Sequence, residues 1–145
     1  MTRSSWLTVL FLGAALPLAG GLPEIRQEPD PLRRFDMALD HAGQQMKLAR
    51  ELVKEGGSRT ELLQSLDEIA QAAGLALESL RSTGKRPAKL SRQYKKGELR
   101  TREMEKQLSE LVRALSLDDR PAAEKTRERI STTHEEFLLG VMTGK

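Results

Sequence analysis

The chain has 145 residues, a formal net charge of +3 and no cysteine. A length of this order suits one domain with one hydrophobic core, and the missing cysteine excludes disulfides, Cys-ligated zinc or iron–sulfur centres, a lipidated N-terminal Cys and haem attached through C-x-x-C-H. Aromatic residues make up only 3%, while Glu, Lys, Arg, Leu and Ala dominate, so intrinsic preference points to helix along most of the sequence.

The first 21 residues carry one early cation, Arg3, then an apolar run over 6–18, then the small residues Ala19, Gly20 and Gly21. This is the pattern of a secretory signal peptide. The run is shorter than the roughly 20 residues of a membrane span, and a polar, Pro-containing segment follows it where a stop-transfer flank would be cationic. The expectation is a periplasmic or otherwise exported protein without a membrane span. Residues 22–30 read as an extended N-terminal segment, and residues 31–145 as the folded domain.

Asp30 before Pro31 reads as an N-cap followed by the favoured first-turn proline. From there to Glu55, the residues Phe35, Leu39, Ala42, Met46, Ala49 and Val53 recur at alternating spacings of four and three, which lines them up on one helical stripe. Gly56 and Gly57 stop this first helix. Ser58-Arg59-Thr60-Glu61 has the form of a capping box and starts the second helix, whose stripe is Leu62, Leu66, Ile69, Ala73, Leu77 and Leu80. Gly84 and Pro87 end it. So short a connection between the two forces an antiparallel hairpin.

The third helix is clearest over 98–117, with Met104, Leu108, Leu111 and Leu115 inward; an extension over 90–96 across Gly97 stays open. Asp118 and Asp119 read as caps. The fourth helix covers about 121–140, with Ala123, Ile130, Phe137 and Val141 on one face. The fold class is therefore all-α, an up-down-up-down antiparallel four-helix bundle made of two hairpins and a longer crossover over 81–102.

That crossover is the charge anomaly of the chain. It holds nine cations (Arg81, Lys85, Arg86, Lys89, Arg92, Lys95, Lys96, Arg100 and Arg102) against one acid, Glu98. Such a segment is either a solvated linker or a contact for an anionic surface or partner, with Lys85, Arg86, Lys89, Arg92, Lys95 and Lys96 as the contact residues. Nucleic acid is the weaker partner: export argues against it, and one aromatic, Tyr94, makes no stacking platform.

Catalytic signals are missing. There is no G-x-S-x-G, H-E-x-x-H or phosphate-binding glycine loop, and neither His41 nor His134 has the glutamate three residues before it that a di-iron bundle uses. His41 lies on the flank of the first stripe and is expected to be solvated. Met37, His41 and Met46 are donors that suit a soft cation such as Cu(I), but only Met37 and His41 have one-turn spacing, and Met46 reads first as core filling. No metal site is expected.

Three stretches resemble the soluble periplasmic cytochrome b562 family: the first hairpin from Leu52-Val53-Lys54-Glu55-Gly56-Gly57 to Leu66 and Ile69, the crossover with Pro87, Lys89 and Leu90, and the closing Ile130-Ser131-Thr132-Thr133. The resemblance spans residues 39–137. It implies a noncovalent haem b held between a Met on the first helix and a His near the end of the fourth, acting as an electron carrier. The sequence departs from that pattern. Laying the family's closing motif on Thr132-Thr133-His134-Glu135-Glu136-Phe137-Leu138 puts Leu138 at the axial His position, and the first hairpin puts Gly43 at the Met position. The expectation is an exported, haem-free, non-enzymatic scaffold or binding protein; the alternative is an electron carrier that uses Met46 and His134, each one turn away, as an atypical ligand pair.

Overall fold

In the computed structural model, which describes residues 21–144, five helices and one 3-10 turn form the domain. The expected signal peptide falls, apart from Gly21, outside the described residues. Among these residues no helix is long and apolar enough to cross a membrane.

Local chemistry sets the first boundaries. Asp30 Oδ1 accepts the Leu32 N–H at 3.1 Å and opens α2 (Pro31–Glu55), with Pro31 in its first turn. Gly56 closes α2 at φ 68°, a left-handed conformation that costs a residue with a Cβ far more. Ser58 Oγ then accepts the Glu61 N–H at 3.3 Å at the start of α3 (Arg59–Arg81). The 3-10 turn Pro87–Leu90 leads into α4 (Ser91–Ala114), and α5 (Arg120–Thr143) completes the domain. The connection between α3 and α4 is confined to residues 82–90, so Arg92 to Arg102 of the basic segment belong to a helix.

Three expectations are corrected. Residues 22–30 are not extended: α1 (Leu22–Arg26) is a short helix, and its Leu22 and Ile25 are buried. It forms because its apolar pair finds a surface on α2 and α3, against which it packs. The third long helix is continuous through Gly97 and ends at Ala114. Asp119 precedes α5 but does not cap it; its carboxylate instead accepts from Arg59 Nε at 2.5 Å and ties the α4–α5 corner to the start of α3.

Side-chain pairs fix how the long helices lie. Arg34 donates to Ser79 Oγ at 2.8 Å and Ser65 donates to Gln45 Oε1 at 2.9 Å, so α2 and α3 are antiparallel. Tyr94 lies against Gly140 and Phe137 against Gly97, so α4 and α5 are antiparallel too. Between the hairpins, Thr126 donates to the Leu66 carbonyl and Arg129 to Asp67, which sets α3 and α5 side by side in one direction. Lys96 on Asp36 and Arg100 on Asp40 do the same for α2 and α4. The order around the bundle is thus α2, α3, α5, α4, and α2 faces α5 across the centre.

The inward stripes meet there. All the expected positions are buried except Val53 and Val141, which are half-buried near helix ends. Phe137 is the hub: its ring meets Phe35 edge-on at 6.2 Å and Tyr94 edge-on at 6.1 Å. Gly97 and Gly140 let these rings reach the α4 and α5 backbones, since a Cβ at either would come within 2.4 Å of Phe137 or 2.2 Å of Tyr94.

Candidate functional site

The one acid of the basic segment occupies the most unusual position in the domain. Glu98, on α4, is 0% exposed, and its carboxylate accepts from His134 Nε2 at 3.1 Å, from Lys95 Nζ at 3.3 Å and from Arg102 Nη2 at 2.5 Å. Lys95 and Arg102 lie one turn before and after it on the same face. Both are themselves more than half exposed, so the carboxylate lies just under the surface and not deep in the core. Burial by itself would raise its pKa; the hydrogen bonds from His134, Lys95 and Arg102 outweigh that and hold it below the usual range. An ionised carboxylate only accepts, so His134 carries its proton on Nε2. Its Nδ1 lies 3.8 Å from Glu105.

The second histidine contradicts the solvated expectation. His41 is 7% exposed, and its Nε2 donates to Glu68 Oε1 on α3 at 2.7 Å. Ile25 of α1 lies beside it, together with Met37 and Gln44. Its Nδ1 is buried without a partner among the described residues. With the Nε2 proton committed to Glu68, Nδ1 of a neutral ring carries a lone pair and no unpaired N–H, the less costly atom to leave among hydrocarbon. Among the described residues no group of three or more His, Asp or Glu side chains is placed to hold a metal.

Met46 and His134 are not brought together. The resemblance drawn from the sequence implies a haem between the first and fourth long helices, but α2 and α5 face each other across a centre filled by Phe35 and Phe137. His134 turns toward α4, where Glu98 and Glu105 face its two ring nitrogens. The register set by Phe137 on Gly97 and by Arg100 on Asp40 puts His134 near the level of residue 40 of α2. Met46, buried in the core, stands six residues farther along, about 9 Å at 1.5 Å per residue. As arranged, these residues do not fit an axial pair.

The basic segment divides in two. Arg81 pairs with Glu136, Lys95 and Arg102 with Glu98, Lys96 with Asp36 at 2.8 Å and Arg100 with Asp40 at 3.2 Å. Arg81, Lys96 and Arg100 thus join neighbouring helices, while Lys95 and Arg102 hold Glu98 of their own helix, which removes Lys95 and Lys96 from the freely available contact residues expected from the sequence. Lys85, Arg86, Lys89 and Arg92 are exposed and have no ion-pair partner among the described residues. All four lie where α3 ends and α4 begins. A shallow groove of about 450 Å³ between α2 and α4, floored by Val53, Leu111 and Ala114, lies toward the opposite end and holds no catalytic constellation. The sequence pattern found the segment but not its division, because only tertiary contacts show which cations already have acids.

No family model, curated protein or solved structure matches the chain.

Proposed function

We propose that this protein is an exported binding module on an up-down-up-down, cytochrome b562-like helical scaffold, without catalytic activity or haem, and that it engages an anionic partner through the basic end formed by Lys85, Arg86, Lys89 and Arg92. The observation that carries this reading is the division of the cations. Five of the nine satisfy acids within the bundle, and the remaining four collect on one connection and the first turn after it. Arg92, in a first turn of α4 that holds no acid, opposes the helix dipole, so its placement is not explained by folding stability. The combined potential of the four cations attracts polyanions over about a Debye length.

Retention on immobilised heparin tests it. The wild-type domain is expected to elute at a salt concentration well above that of the Lys85→Gln, Arg86→Gln, Lys89→Gln, Arg92→Gln variant. Lys96→Gln, which removes a cation already paired with Asp36, is expected to elute close to wild type. Equal elution of wild type and the fourfold variant would refute the reading.

A further inference from the structure

We infer that the partner is the surface of an anionic phospholipid bilayer, with Leu139 and Met142 as the side chains that enter the headgroup region. This rests on the anionic-partner reading and narrows it. Leu139 and Met142 are large apolar side chains that are 55% and 61% exposed, and their spacing of three places them on one face of the last turns of α5. Leu139 lines the same surface depression as Lys85, Pro87 and Thr143. Gly144, just beyond α5, closes against the backbone of Pro87 and Ala88. Leu139 and the end of α5, which carries Met142, therefore adjoin the connection that carries the unpaired cations.

The combination selects the partner. A soluble polyanion satisfies the four cations and gains nothing from an exposed leucine and methionine one turn apart. An anionic bilayer uses both, phosphates for the cations and the acyl boundary for the apolar pair. A second copy of the same patch is opposed by like charge. Docking at one end of the bundle stands the long helices away from the lipid and leaves their cores intact, so association needs no unfolding.

The test uses the chain from Gly21 onward, which contains every helix described and omits the apolar run over 6–18 that would enter lipid by itself. Partition is measured by co-sedimentation with phosphatidylcholine vesicles with and without phosphatidylglycerol, alongside heparin retention. Partition is expected only with phosphatidylglycerol present. Leu139→Ser with Met142→Ser is expected to weaken it by about tenfold or more and to leave heparin retention unchanged. The fourfold Gln variant is expected to lose both, by about fivefold in partition for each cation. Both apolar residues are exposed, so circular dichroism should show the fold unchanged in the Ser variant. Heparin retention without vesicle partition overturns the lipid inference and leaves the anionic-partner reading standing. Vesicle partition unaffected by the Ser substitutions also overturns it, since the apolar pair then plays no part. Failure to bind either anion overturns both readings.

Discussion

Replacing Glu98 by Gln keeps the shape of the side chain and removes the charge on which His134, Lys95 and Arg102 converge. Orphaning a deeply buried ion pair costs about 3–5 kcal/mol. Here the loss is smaller, because Lys95 and Arg102 are 54% and 60% exposed and return to water, while His134 can still donate to the Gln carbonyl oxygen. The expected destabilisation is that of one or two charge-assisted hydrogen bonds, about 1–3 kcal/mol at neutral pH, read from urea unfolding. Its pH dependence is the sharper test. The Glu98 carboxyl is held below its ordinary value of 4.5, so the unfolded chain binds its proton more readily than the folded one. Its contribution is complete above that ordinary value and is lost as pH falls through the lower folded value. The gap between wild type and Glu98→Gln should therefore be widest at neutral pH and close in acid. Asp67, lowered chiefly by its hydrogen bond from Arg129, adds to acid sensitivity equally in both proteins, so the difference between the curves is the quantity to follow. A gap that stays constant into strong acid, or a neutral-pH cost under about 0.5 kcal/mol, the usual scatter of plain surface changes, would refute this account of the cluster.

Glycine substitutions should separate by what a Cβ meets. Gly97→Ala and Gly140→Ala force Phe137 and Tyr94 aside and are expected to destabilise by about 1–3 kcal/mol, whereas Gly74→Ala, whose Cβ meets nothing within 4 Å, is expected to stabilise α3 by up to about 1 kcal/mol; thermal unfolding of the three decides it. Phe137→Ala opens a cavity where three helices meet and is expected to cost about 3–5 kcal/mol, measurable as a lowered urea midpoint. Glu68→Ala leaves the buried His41 without its acceptor at Nε2 and is expected to cost about 1–3 kcal/mol; an unchanged midpoint would show that the pair does not hold α2 to α3. Added haem is expected to give no low-spin Met/His spectrum. A spectrum abolished both by Met46→Ala and by His134→Ala would show that the two residues meet as ligands.

Most of the scaffold was legible because it depends on local spacing. The four-three recurrence of Phe35 to Ala49, the proline after Asp30, the paired glycines at 56 and 57 and Ser58 before Glu61 each act within one or two turns, and the structure places them as read, with the Ser58 half of the capping box formed. The basic segment was equally plain. Its meaning was not, since sequence gives the charge on Lys96 but not that Asp36, sixty residues earlier, lies 2.8 Å from it.

The sequence by itself determined which residues turn inward and where most of the long helices begin and end, because a 3.6-residue period and a capping side chain are properties of the neighbouring chain. Tertiary structure alone decided what the polar residues do. Leu22 and Ile25 make a helix only because α2 and α3 offer a surface to bury them, and Ile25 packs beside the His41 that a single-helix reading leaves in water. Likewise Glu98 sits amid cations in the sequence, but only the antiparallel approach of α5 brings His134 over it and makes it the buried acceptor of three side chains. Burial and the contacts between helices depend on which element arrives from far along the chain, whereas local spacing carries only neighbours such as Lys95 and Arg102.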